Sequence, residues 1–256
     1  MTPPDNIVIL SSPSRYAMAE EWYEIATRDH FWVQWRFQML CRLLPKDYKW
    51  GDTFDIGCGN GLVSAQIKER FNLEISGCDL NLAALKQASA HRLPYYFYNV
   101  HEKNEDFRAK YDSILLFDVL EHIEDPTAFL RSVAFHQKVG GSLLINVPAF
   151  QTLYGDYDKS AGHVKRYARD LLQKELRAAG YQMERSTYWG MSLLPLLLLR
   201  KGLLSMCRSK NVIRYGFQPP HPLMNSAMKG LMRLEGLFGS AIPAGTSLLA
   251  LARKVP

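Results

Sequence analysis

The sequence predicts a doubly wound α/β fold with a mostly parallel sheet, on three observations. From Thr53 onward, short apolar runs alternate with amphipathic stretches of helical spacing. The runs are apolar on both sides, as strands covered by helices on each face must be. The first of them passes directly into a glycine-rich turn, DIGCGNG at 55–61, that opens a helix. Strands alternating with helices of about ten residues imply right-handed crossovers, and therefore parallel neighbours.

Residues 14–45 contain no glycine and end at Pro45, and Phe31, Trp35, Met39 and Leu43 recur at helical spacing. One or two helices are expected there, within a helical lead-in over 1–50. Strands are expected at 53–57, 74–79, 95–100, 113–118 and 142–147. Helices are expected at 62–71, 81–91 and 126–137. The last opens with Pro126, at a first turn where a missing N–H costs little. Residues 168–179 read as a helix closed by Gly180 in a left-handed cap. Strands at 181–188 and 247–254 complete a set of seven. The expected core spans 51–190 and 246–256. Residues 191–245, rich in Leu, Met and basic side chains at helical spacing, form a helical insertion or cap.

The chain has 256 residues, 47% hydrophobic and 22% charged, which excludes a disordered tail, a collagen-like repeat and a small disulfide scaffold. Cys41, Cys58, Cys78 and Cys207 have no paired spacing, so neither a zinc knuckle nor a redox motif is legible, and no metal is expected. The first 15 residues lack a basic start followed by a long apolar core, so a signal peptide is not expected and the cytoplasm is the default location. The net charge of +6 is unevenly spread. Residues 1–150 carry 15 basic against 19 acidic side chains, a balance of −4, and residues 151–256 carry 16 against 6, a balance of +10. A basic functional face built by the C-terminal part is expected.

Gly57, Gly59 and Gly61 allow a ligand to approach the backbone at a helix N-terminus, although any tight strand-to-helix turn also uses glycine. Two acidic positions narrow the choice. Asp79 ends the second strand 18 positions after Gly61, where an acid can take both hydroxyls of a ribose. Asp55, inside the first strand, would repel a pyrophosphate but suits a ligand carrying an ammonium and a sulfonium. The G-x-G-x-G spacing also departs from the G-x-G-x-x-G of dinucleotide sites, which disfavours a nicotinamide enzyme.

With LFDVLEHIED at 116–125, these motifs resemble the class I S-adenosylmethionine-dependent methyltransferases, in the small-molecule, type 11/12-like branch with a V-L-E-H signature. The motif set covers about residues 50–150. The resemblance implies a Rossmann-like, seven-stranded sheet with its last strand antiparallel, and S-adenosylmethionine as cofactor with S-adenosylhomocysteine as product. It implies that Asp55, Gly57, Cys58, Gly59 and Gly61 hold the methionine end, Asp79 with Leu80 the ribose, and Asn99 with Val100 the adenine edge. Many relatives have Asp where Asn99 stands, and Asn keeps an acceptor and a donor for adenine. Asp118 would orient the cofactor's amino group or the substrate.

Ligands in such sheets lie outside the carboxyl ends of the strands, so the loop after the fifth strand, PAFQTLYGDYDKSAGHVKRYARD, should choose the acceptor. LYGDYD followed by GHVKRY resembles a recurrent, functionally diverse set of bacterial methyltransferases. That set also carries a segment like HFWVQWR at 30–36 and an ending like PAGTSLLALARK at 243–254. His163 is the first candidate for a general base, with Tyr157 and Asp158 behind it. Tyr154 and Arg166 are substrate-binding candidates, Arg166 for a carboxylate or phosphate. In the alternative, His163 and Arg166 only tie the loop to the core. Two readings also stand for His122, reaching the acceptor or packing a turn with Glu121. Arg36 has two as well, closing over the cofactor or lying along the surface.

Residues 186–199 carry no charge but are too few to span a bilayer, which needs ~20. They read as a lid over the acceptor, or, with Arg200, Lys201, Arg208, Lys210 and Arg214 following, as a peripheral contact with an anionic membrane through 186–214. The expected function is methyl transfer to O, N or C of a small-molecule acceptor, anionic or amphiphilic, in secondary metabolism. A lipid-linked or quinone-like acceptor at the membrane surface is the alternative. A silent binding module with the cofactor fold is the rival from another class. Nucleic acid is not an expected partner, since LFDVLEHI stands where base-methylating enzymes carry N-P-P-Y or D-P-P-Y.

Overall fold

The computed structural model describes residues 6–12, 27–199, 222–236 and 242–256. Residues 1–5 and 13–26 of the expected helical lead-in and the basic cluster from Arg200 to Arg214 lie outside the described residues.

The strands in chain order are β1 (Ile7–Ile9), β2 (Thr53–Ile56), β3 (Ile75–Asp79), β4 (Tyr95–Phe97), β5 (Tyr111–Phe117), β6 (Gln137–Pro148), β7 (Tyr181–Trp189) and β8 (Ser247–Lys254). They form one sheet in the order β1-β4-β3-β2-β5-β6-β8-β7. Every pair from β1 to β6 is parallel, while β8 runs antiparallel to both β6 and β7. The order reverses beside β2, between β3 and β5, which opens a crevice at the carboxyl ends of these strands. The helices are α1 (Phe31–Leu43), α2 (Leu62–Phe71), α3 (Leu82–Ala88), α4 (Pro126–His136), α5 (Asp156–Ala161), α6 (Arg169–Ala178) and α7 (Pro222–Glu235).

The sheet has one strand more than the sequence predicts. Ile7–Ile9 pairs in parallel with β4, Ile7 opposite Tyr95, and the Asn6 amide donates to the carbonyls of Ser89 and Leu93 at 3.1 Å each. Three residues are too few to display a period of two, and only Ile7 is buried, so this strand exists because the β4 edge is there to receive it. Strands β2, β5 and β6 are buried on both faces, as their continuous apolar character requires. Asp125 caps α4 by accepting from the Ala128 amide at 2.9 Å, with Pro126 in the first turn. Gly180, at φ 84°, follows α6 in the expected left-handed conformation.

Helices from both ends of the chain meet over one part of the sheet. Asn225 on α7 accepts from the Phe31 amide at 2.9 Å and donates to the Asp29 carbonyl at 3.0 Å, and Lys229 pairs with Asp29 at 2.7 Å. Below them, Trp32 on α1 packs against Trp189 at the end of β7, ring centroids 5.3 Å apart. This packing brings α1 over the carboxyl ends of β5, β6 and β7.

Candidate active site

The turn from β2 to α2 is built on three glycines with positive φ: Gly57 at 73°, Gly59 at 55° and Gly61 at 74°. A Cβ on Gly57 would stand 2.4 Å from a methyl of Val119, and one on Gly61 2.5 Å from the Tyr95 hydroxyl. The turn is fixed from outside. The amides of Gly57 and Cys58 donate to the Cys78 carbonyl at 2.8 and 3.0 Å, and the Gly59 amide donates to Asp79 Oδ2 at 2.8 Å. Cys58 itself is buried beneath the turn.

Asp55 and Asp79 face this turn and are 2% and 5% exposed. Asp79 Oδ1 accepts from the Asn81 amide at 2.7 Å, just past Leu80, and Asp55 Oδ2 accepts from Ser64 Oγ at 2.6 Å. Burial raises both carboxyl pKa values, that of Asp55 to about 7, against the lowering effect of Ser64. Among the described residues neither forms an ion pair. The Arg36 charge also acts on Asp55 from a distance, and two buried acids beside a glycine turn with no cation in direct contact fit a positively charged ligand, while the remaining lone pairs of Asp79 fit a ribose. The Asn99 side-chain Oδ1 accepts from the His101 backbone N–H at 3.1 Å, the Asn99 backbone N–H donates to Ser11 Oγ at 2.8 Å, and Val100 is buried. Asn99 therefore caps its own turn with the oxygen that adenine recognition would use.

Asp118 follows β5 with φ 59°, a left-handed conformation that a non-glycine residue keeps only when its neighbours hold it. They do: the Arg36 guanidinium pairs with Oδ2, and the Asn146 amide donates to Oδ1 at 2.7 Å. Asn146 in turn accepts from the indole N–H of Trp189 at 2.8 Å. Arg36 also lies over the Trp32 ring, 4.5 Å from its centroid, and is buried. Arg36 thus turns inward from α1 to the strand ends. Sequence reasoning missed Asn146 and Trp189; the signal was a lone Asn within the apolar strand SLLINV.

The loop after β6 folds back along that strand. The Tyr167 amide donates to the Pro148 carbonyl at 2.8 Å, the Phe150 amide returns to the Tyr167 carbonyl at 2.9 Å, and the Val164 amide reaches the Glu121 carbonyl at 2.7 Å. This last bond sets His163 beside the V-L-E-H turn. His163 Nδ1 is 2.8 Å from Asp158 Oδ1, and its Nε2 is 4.0 Å from Glu121 Oε1. Asp158 also accepts from Arg166 Nε at 2.7 Å and the Gly155 amide at 2.9 Å. Burial raises the Asp158 pKa, but the hydrogen bond from His163 and the charge of Arg166 outweigh it, and the net shift is downward. Arg166 is buried, with a further bond to the Ala149 carbonyl at 3.3 Å, so its guanidinium serves the loop. The Tyr154 hydroxyl donates to the His163 carbonyl at 2.8 Å. Tyr157 stands edge-on to the His163 ring, centroids 6.2 Å apart. His122 Nδ1 lies 3.1 Å from the Gly162 carbonyl and its ring 4.9 Å from that of His163. Burial, with His163 adding to it, lowers the His122 pKa to about 4, and burial with the Asp118 charge raises that of Glu121 well above the carboxylate range.

A doubly wound sheet whose first turn is lined by glycine and buried acids, with a polar loop across its carboxyl edge, is the architecture of nucleoside-binding α/β proteins. The chain belongs to a methyltransferase domain family, whose model matches residues 10–186. It is 28% identical over 149 residues to a ubiquinone biosynthesis O-methyltransferase of Xanthomonas axonopodis pv. citri, covering 51% of this chain and 62% of that protein. The match therefore spans less than two thirds of the relative's length. The fold resembles a SAM-dependent methyltransferase from Archaeoglobus fulgidus (TM-score 0.58, 17% identity, 92% of this chain and 97% of that one). It also resembles Haemonchus contortus phosphoethanolamine N-methyltransferase 2 in complex with S-adenosyl-L-methionine (TM-score 0.55, 18% identity, 89% and 56%).

Proposed function

We propose that this enzyme methylates an oxygen of a small, amphiphilic, phenol- or quinol-like acceptor, and that the Asp158–His163 pair receives the acceptor's proton. The observation that carries the reading is the 2.8 Å contact from His163 Nδ1 to a carboxylate held by Arg166. A carboxylate only accepts, so Nδ1 carries the ring proton and Nε2 keeps its lone pair. That lone pair lies beside Glu121, on the loop that crosses the strand ends. The name of the ubiquinone-pathway relatives supports an oxygen acceptor.

S-adenosylmethionine supplies an electrophilic methyl group on a sulfonium sulfur. Asp55 and the turn at Gly57, Cys58, Gly59 and Gly61 face its cationic methionine end, Asp79 and Leu80 its ribose, and Asn99 and Val100 its adenine. Arg36 from α1, paired with Asp118 after β5, closes the methionine side. His122, Tyr154 and Tyr157 shape the acceptor side around His163, and Arg166 holds Asp158 in place. The acceptor is aligned by this loop and loses its proton to His163 Nε2 as its oxygen attacks.

Release of S-adenosylhomocysteine from phenols and catechols, with and without an alkyl tail, tests the reading. His163→Ala is expected to lower turnover by ~10²- to 10⁴-fold with cofactor affinity unchanged. Full turnover in that variant removes the base assignment, and turnover of amines in place of phenols removes the oxygen.

A membrane-surface version of this reading is favoured by the described part of the insertion. Leu196, Leu198 and Leu199 are 47%, 55% and 61% exposed, and Leu223 and Met224 on α7 are exposed too. Among the described residues no helix is long and apolar enough to cross a membrane.

A further inference from the structure

Glu121 and His122 follow β5 and His163 follows α5, yet one ligand-type atom from each lies within 4.8 Å of the others. Both histidines have their second nitrogen committed. His122 Nδ1 faces the Gly162 carbonyl at 3.1 Å and His163 Nδ1 the Asp158 carboxylate at 2.8 Å. Neither oxygen donates, so each Nδ1 carries a proton and each Nε2 is left as a ligand. Such outer acceptors orient and strengthen metal-binding imidazoles. Glu121 is 1% exposed, and its Oε2 has no hydrogen-bond partner. A buried carboxyl oxygen without a partner is costly, and an ion taking the place of the Glu121 proton would supply one.

We propose that Glu121, His122 and His163 form a binding site for a divalent transition-metal ion of the zinc type. Two imidazole nitrogens disfavour magnesium and calcium, which take oxygen ligands. Two histidines and a glutamate with no fourth protein ligand form an open set, the kind that leaves a position for water or substrate. Tetrahedral ligands at ~2.1 Å from an ion stand ~3.4 Å from one another, so a set within 4.8 Å closes on an ion through side-chain shifts of about 1 Å.

The consequence for the reaction rests on the proposed oxygen methylation; the site itself does not. An acceptor hydroxyl entering the open position would ionise more readily, releasing its proton to solvent, and His163 would then act as a ligand in place of a proton acceptor. The oxygen lone pair forms the new bond to carbon as the carbon–sulfur bond breaks with its electrons to sulfur.

Chelator-treated enzyme titrated with cobalt(II) tests the site by visible ligand-field absorption, and zinc titration calorimetry gives the stoichiometry. One ion per chain is expected. Binding should weaken at least 100-fold in Glu121→Gln and in His122→Asn, and ~10- to 100-fold in Asp158→Asn, which keeps the ligands but removes the outer acceptor. Retained S-adenosylmethionine binding in each variant reports that it is folded. Absence of saturable binding by the parent enzyme, or binding that survives the Glu121→Gln, His122→Asn pair, overturns the site. If the ion does not bind and His163→Ala is still inactive, the proton-acceptor reading stands alone. If the ion binds and His163→Ala turns over at full rate, the site stands and the base does not.

Discussion

Asp55 couples the electrostatics of the turn to pH. Burial lifts its carboxyl pKa to about 7, so the folded, ligand-free protein holds a proton there that the unfolded chain releases near pH 4. As pH rises through this window the folded state loses its advantage in bound protons, and the stability contributed by Asp55 declines. A cationic cofactor requires the carboxylate, so binding expels that proton. Affinity for S-adenosylmethionine is expected to rise between about pH 5 and 7, by at most ~10-fold per unit, and to level off above about 7. Calorimetry in two buffers of different ionisation heat measures the proton released, and Asp55→Asn should abolish the slope. A flat profile in the parent enzyme would remove Asp55 from the cation's surroundings. At this scale the sequence was most informative about acids that end strands, Asp79 and Asp118, because strand ends are legible from the apolar runs before them. It was least informative about Arg166, for which acceptor binding and tying the loop both stood, and about Tyr154, read as facing an acceptor; both bond within the loop, a choice set by how the loop folds on itself.

Among the elements, the β2–α2 turn and the V-L-E-H turn are one packed unit, since Val119 lies where a Cβ on Gly57 would be. Gly57→Ala combines a positive φ of 73° with a 2.4 Å approach, and should cost about 2 kcal/mol or more in urea unfolding. Val119→Ala should restore the steric part in the double variant and leave the backbone part. Strict additivity of the two substitutions would show that the turns do not press on each other. The longer elements were legible because period and flanking residues agreed, as at α4 with Asp125 and Pro126 and at α6 with Gly180. The edge strand β1 was not, because nothing in three residues distinguishes a strand from any short apolar patch.

For the whole molecule, the uneven charge gains a geometry. The −4 of residues 1–150 includes the two buried acids of the cofactor turn, and the +10 belongs to the part that carries the acceptor loop and the insertion. Exposed leucines at 196, 198 and 199, next in sequence to Arg200 and Lys201, suit an anionic lipid surface. Flotation with liposomes should recover the protein with anionic vesicles more than with neutral ones, and less so at high salt. Serine at all three leucines should lower recovery while leaving S-adenosylmethionine binding intact. Failure of the parent enzyme to float with either vesicle would leave the insertion as a cover for the acceptor.

Local order along the chain was enough to specify the alternating sheet, the glycine turn and the acids around it, because each is written in a run of neighbouring residues, while the antiparallel final strand came from the family resemblance. The network from Trp189 through Asn146 and Asp118 to Arg36 was not legible, nor was the cluster of Glu121, His122 and His163. Each joins side chains from separate parts of the chain, and only the folding of α1 and the loop after β6 over the strand ends brings them together.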